Sequence, residues 1–121
     1  MKKRFAIKWL PRPKERNYPA ALSYLTLIFP PKTAAAYVRR LRRAPVTTFK
    51  SKDIFRASGL SLLGISNYFV EQDRKKILEG QKLSPLLLVR DNGRVIVADG
   101  YHRLCSVYSF DEEAPIPFKI V

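Results

Sequence analysis

Between Leu86 and Arg103 the sequence leaves the backbone little choice. Leu86-Leu87-Leu88-Val89 is a short apolar run ending on a β-branched residue, Asp91-Asn92-Gly93 reads as a tight turn, and Val95-Ile96-Val97 resumes the apolar run. That is the pattern of a β-hairpin. Asp99-Gly100 breaks the second strand, and Leu104, Val107 and Tyr108 then recur at helical spacing. A helix is therefore predicted from the break to about Ser109, stopped by Asp111-Glu112-Glu113 and Pro115, with Ile116 to Val121 as a closing strand. A strand, an Asp-Gly turn and a helix whose first turn holds His102 and Arg103 put unpaired backbone N–H groups and a guanidinium at one sheet edge. Such an arrangement suits an anion.

Charge is the second informative feature. The formal net charge is +13. Residues 1–60 hold 15 basic and 2 acidic groups, whereas residues 61–121 hold 8 of each. The whole excess lies in the first half, which argues for association with a polyanion. Nucleic acid is the first expected partner, and an acidic protein or an anionic lipid surface is the alternative. With 46% hydrophobic residues the chain of 121 residues is expected to fold as one domain. Cys105 is the only cysteine and His102 the only histidine, so no internal disulfide and no conventional zinc cluster is expected. Charged residues and prolines interrupt every apolar stretch before it reaches membrane-spanning length, so a cytoplasmic chain with no membrane segment is expected.

Taken in order, Arg4 to Leu10 suggests an edge strand in which Phe5, Ile7 and Trp9 alternate with Ala6 and Lys8; an arm ordered by a partner is the other reading. A connector containing Pro11, Pro13 and Pro19 follows. Pro19 is placed to open a helix at Ala20 that Pro30-Pro31 ends. Thr33 is a candidate N-cap for a second helix, Ala34 to Ala44, with Ala34, Tyr37, Val38 and Leu41 on its inner stripe. Arg39, Arg40, Arg42 and Arg43 cover the rest of that helix. They suit backbone phosphate contacts, a recognition helix or a solvated face, and spacing does not separate these. Lys50 and Lys52 extend the candidate nucleic-acid surface. Pro45 to Lys52 reads as extended, Ser51 or Asp53 as the cap of a brief helix closed by Gly59, and Ser58 to Gly64 as a loop burying Leu60, Leu62 and Leu63. Ser66 or Asn67 starts a helix over Tyr68 to Glu79, with Phe69, Val70 and Ile77 as a broken apolar stripe and Gly80 as its C-cap.

The stretch Leu83 to Val121 resembles the ParB/sulfiredoxin superfamily, in which a second strand ends in a Gly-x-His-Arg type signature, followed by a helix and a last strand introduced by Ile-Pro. Gly100, His102, Arg103 and Ile116-Pro117 carry the likeness, and Lys50 to Gly80 fits the family's opening strand and first helix. The resemblance implies an α+β fold with a small mixed β-sheet and packed helices at 46–121, preceded by a basic helical extension at 1–45. It implies phosphate or nucleotide contact at Asp99, Gly100, Tyr101, His102 and Arg103, and a nucleoside triphosphate with magnesium as the cofactor to consider. The sulfiredoxin branch uses a cysteine immediately before the His-Arg pair; Tyr101 stands there, so sulfinic-acid reduction is disfavoured. A partition clamp carries an arginine pair and further domains, so a complete clamp is not expected. The family's catalytic carboxylates are not identifiable, which leaves a binding module, a nucleotide-dependent phosphotransferase, phosphohydrolase or nuclease, and a protein-interaction module open.

Each motif residue also has a plain structural reading. Arg103 serves a phosphate or pairs with Asp99 or the Asp111 to Glu113 cluster; His102 contacts a ligand or only hydrogen-bonds locally. Asp99 caps the helix or assists a nucleotide-bound metal. Tyr101 stacks on a base or covers the sheet. Cys105 is expected to be buried and inert. His102, Arg103 and the helix donors are expected to converge on one open pocket, with Arg103→Ala lowering ligand affinity while sparing the fold.

Overall fold

All four residues of Leu86-Leu87-Leu88-Val89 are buried, because both faces of their strand are covered. In this computed structural model, which describes residues 6–64 and 67–121, Leu86 and Leu88 point into one core and Leu87 and Val89 into another. An uninterrupted apolar run is what such a strand requires, and each fully buried leucine contributes about 1.5–3 kcal/mol.

The elements run β1 (Lys8–Trp9), α1 (Asn17–Thr26), α2 (Pro31–Arg43), β2 (Thr47–Lys50), α3 (Ser51–Ser58), α4 (Tyr68–Leu78), β3 (Lys82–Leu83), β4 (Leu86–Asp91), β5 (Arg94–Asp99), α5 (Tyr101–Phe110) and β6 (Pro115–Ile120). The fold class is α+β. Four strands form one mixed sheet in the order β2-β6-β4-β5, with β6 parallel to β4 and antiparallel to β2; β1 and β3 form a separate parallel pair. Helices α3, α4 and α5 cover one face through Ile54, Phe55, Val70, Ile77, Leu104 and Val107. The other face is covered by α1 and α2 through Tyr18, Ala21, Leu25, Ala34, Val38 and Leu41. The two N-terminal helices, expected as an extension ahead of the sheet, thus supply half of its covering.

Local chemistry explains most boundaries. Asn92 (φ +50°) and Gly93 (φ +75°) are the two central residues of the β4–β5 hairpin, the left-handed pair that a two-residue turn needs. Asn67 caps α4 by accepting from the N–H groups of Phe69 and Val70 at 3.0 and 3.2 Å. Gly59 and Gly80 stop α3 and α4 in left-handed conformation.

Other expectations are corrected. Helix α1 begins at Asn17 rather than Ala20, because Pro19 fits the first turn, where no N–H partner is required. It ends at Thr26, well before Pro30. Thr33 does not cap α2, which starts with Pro31 at its first position. Neither Ser51 nor Asp53 caps α3; the Ser51 hydroxyl donates to the Glu112 carbonyl at 2.7 Å, fixing the helix start to the loop before β6. Leu60 and Leu62 are exposed, and Leu63 alone of the three leucines packs on the core. The N-terminal strand is reduced to Lys8–Trp9, with Phe5 and Ser66 outside the described residues. No helix among the described residues is long and apolar enough to cross a membrane.

Candidate anion-binding cleft beside Arg103

The β5–α5 junction is built around one glycine. β5 carries an irregularity between the Leu88–Val97 and Leu87–Asp99 pairs, with Ala98 as the extra residue, and the chain then turns at Gly100 with φ +109°. A Cβ there would lie 2.7 Å from Leu86 Cγ and 2.9 Å from Arg103 Nη2. The motif glycine is therefore demanded twice, by backbone conformation and by close approach.

Past that turn the motif side chains diverge. Successive helical residues point about 100° apart, so Tyr101, His102 and Arg103 face three directions. The Tyr101 ring is half-buried against the core and its hydroxyl donates to the Ser61 carbonyl, the covering role. His102 lies with its ring centroid 5.1 Å from that of Phe69 and 5.8 Å from that of Tyr101. Arg103 turns back onto Asp99, Nη2 donating to Oδ2 at 2.8 Å, with both side chains mostly buried. Asp99 is thereby used as the partner of Arg103, and α5 has no side-chain cap. The expected convergence of His102, Arg103 and the helix donors on one pocket does not occur.

Arg103 instead forms part of a cleft assembled from four segments. Lys14 and Arg16 from the connector, Asp73 and Lys76 from α4, Lys82 from β3 and Arg103 supply its charged lining, five cations against one carboxylate. The cavity measures about 100 Å³, which has room for a phosphate group. The connector is held in place through Ser84, whose hydroxyl accepts from the Lys14 N–H at 3.0 Å and donates to Asn17 Oδ1. Arg103 Nε is buried and has no hydrogen-bond partner among the described residues.

Crowding is visible in the electrostatics. Burial, and then repulsion from Arg16, Lys76 and Arg103, pulls the Lys14 ammonium below its usual range. Burial pushes the Asp73 carboxyl up, even though Lys76, Arg103 and His102 all oppose the rise. Asp73 therefore contributes stability that is fully present below its unfolded-state pKa and is lost as pH rises through the higher folded value. Asp73→Asn is expected to raise the melting temperature at pH 7 but not near pH 3, and to strengthen binding of inorganic phosphate several-fold by removing the carboxylate from the cleft lining. Differential scanning calorimetry and isothermal titration provide the check; weaker phosphate binding would mean that the carboxylate orients the cations.

The helix α2 arginines have separate fates. Arg39, Arg40 and Arg43 are exposed, Arg40 lying 5.8 Å over the Tyr37 ring. Arg42 pairs with Glu15 and lies 4.3 Å over Tyr18. Lys50 and Lys52 both bind Glu113, at 3.0 and 2.5 Å, so one of their two charges is balanced within the protein. The acidic loop before β6 is accordingly ion-paired through Glu113. Cys105 is buried and burial pushes its thiol up, which removes it from nucleophilic chemistry at neutral pH.

Sequence reasoning missed Lys14, Arg16, Asp73, Lys76 and Lys82. No spacing rule joins them, and three of the five lie in the electrically neutral half of the chain. Comparisons with protein-family models, curated proteins and solved structures find no match.

Proposed function

We propose that the chain is a phosphate-recognising binding module of ParB/sulfiredoxin type, which takes a nucleotide or nucleic-acid phosphate in the cleft beside Arg103. The observation that carries this reading is five cationic side chains facing one small cavity, with Arg103 already paired to Asp99 and Lys76 lying 3.8 Å from Asp73, so that Lys14, Arg16 and Lys82 supply the excess charge. An anion entering there relieves that excess, and guanidinium and ammonium donors suit phosphate oxygens. The Gly100-x-His102-Arg103 junction between a hairpin and a helix that leads to a strand parallel to β4 supports the family likeness. Exposed Arg39, Arg40 and Arg43 add attraction for a polyanion that reads no base sequence.

Fluorescence anisotropy with labelled DNA in a salt titration tests it. The logarithm of affinity is expected to fall linearly with the logarithm of salt concentration. Replacing Arg39 and Arg43 by alanine is expected to make the slope shallower by about one for each phosphate no longer neutralised, equally for unrelated sequences. Lys50→Ala and Lys52→Ala should change it less, because Glu113 already pairs with both side chains. Absence of binding at low ionic strength would remove the proposal, and a strongly sequence-dependent loss would favour base reading by α2.

A further inference from the structure

Two aromatic residues stand in the solvent where the core has no use for them. Tyr68 and Phe69, in the first turn of α4, are 65% and 58% exposed, while the same helix packs through Val70 and Ile77. Their rings begin a continuous row. Tyr68 lies 5.3 Å from Phe69, Phe69 5.1 Å from His102, and His102 5.8 Å from Tyr101, centroid to centroid. Exposing adjacent large rings is unfavourable unless something covers them.

Their position relative to the cleft identifies the covering group. Phe69, Asp73 and Lys76 are spaced four and three residues apart and so share one face of α4, with Phe69 roughly 6 Å along the axis from Asp73. Asp73 and Lys76 line the cleft. On the neighbouring helix His102 touches the ring row and Arg103, the next residue, lines the cleft. A cluster of rings tilted against one another by 44° to 82° and an anion receptor thus lie about one helical turn apart along α4. The cleft is lined mostly by charged and polar side chains, so a flat apolar portion of a ligand is better placed outside it, on the ring side.

We propose that the exposed Phe69 ring is a stacking site for a nucleobase, so that one nucleotide unit is held with its base on Phe69 and its phosphate in the cleft. This rests on the phosphate reading of the cleft and adds the part of the ligand that is better placed outside it. Stacking accepts any base, because every base has a π face, and it requires that the base be free of its neighbours. A single strand, or a free nucleotide, therefore fits, and a duplex with its bases stacked internally does not. Exposed rings beside a cationic cleft combine stacking with charge, as single-strand binding requires.

The test uses the full chain, fluorescein-labelled oligothymidylate and the duplex of the same length, at fixed low salt. Wild-type protein should bind the single strand more tightly than the duplex. Phe69→Leu keeps an apolar side chain beside His102 but removes the π face, and should weaken single-strand binding by about 5- to 100-fold while leaving duplex binding and the melting temperature nearly unchanged. Phe69→Trp should restore it. Thymidine monophosphate should displace the strand at lower concentration than inorganic phosphate does; if it does so at the concentration at which the strand's own nucleotide units compete, a free nucleotide is the natural source, and if far more is needed, a strand is. Should Phe69→Leu bind the single strand like wild type while Lys76→Ala weakens it, stacking is overturned and the phosphate reading stands. Failure of wild type to bind any of these probes overturns both.

Discussion

Gly100→Ala is expected to destabilise the fold by about 2–5 kcal/mol, from backbone strain and overpacking together. Its φ of +109° lies in a region that L side chains rarely adopt. The new methyl group would meet Leu86 Cγ at 2.7 Å, and Leu86 is fully buried at the centre of the sheet with no space to retreat. On the other side it would meet Arg103 Nη2, which Asp99 holds in place. Gly93→Ala provides the comparison. Gly93 also has positive φ, at +75°, but a Cβ there meets nothing within 4 Å, so only the backbone cost of about 1–2 kcal/mol remains. Urea denaturation of both variants separates the terms. Equal losses would show that Leu86 and the end of β5 yield to the extra methyl.

The second large effect concerns Arg103→Ala, expected to cost about 2–3 kcal/mol of stability. The value lies below the about 3–5 kcal/mol of a fully buried pair because both partners keep some contact with solvent. Arg103 and Asp99 are 17% and 16% exposed, and truncating the arginine leaves the carboxylate with its partner removed. The cost adds to the expected loss of ligand affinity and does not abolish folding. Asp99→Ala combined with Arg103→Ala should recover a substantial part of the loss, since it removes the stranded charge. A thermodynamic cycle over the two single variants and the double variant measures the coupling. If the double variant is no more stable than Arg103→Ala, the arginine acts through packing of its stem against Leu86 and the cleft wall. Ligand affinity is then best compared between the double variant and Asp99→Ala, where the same charge is absent from both.

Local signals in the sequence proved readable and distant ones did not. The Asn92-Gly93 turn, the Asn67 cap and the stops at Gly59 and Gly80 each depend on a few adjacent residues, whose backbone preferences act before tertiary structure forms. The inner stripe of α2 was legible for the same reason, since Ala34, Val38 and Leu41 recur with the helical period and all are buried. The cleft was not. Its charged residues come from the connector, α4, β3 and α5, and only the pairing of β1 with β3 and the Ser84 contacts to Lys14 and Asn17 bring them together. Charge asymmetry pointed to the first half of the chain, yet Glu113 from the second half takes up Lys50 and Lys52. The motif Gly100-Tyr101-His102-Arg103 marked the right junction and the wrong geometry, because adjacency in a helix separates side chains in space. The sequence places Phe69 on the apolar stripe of α4 with Val70 and Ile77, yet Phe69 is exposed while the other two are buried, because successive helical residues point about 100° apart.

The sheet order has a consequence for how the chain folds. β6, the last strand in sequence, lies between β2 and β4, its Phe118 facing Thr47 on one side and Leu86 on the other. A growing polypeptide can form the β4–β5 hairpin and the α1–α2 pair early, since both are built from near neighbours. The central seam stays open until β6 is in place. Until then β2 has no strand beside it, and β4, apolar on both faces, carries an unprotected edge. The sheet is therefore closed by an insertion into the middle rather than an addition at the margin, and before it the open edge of β4 is exposed to mispairing with other unfolded chains.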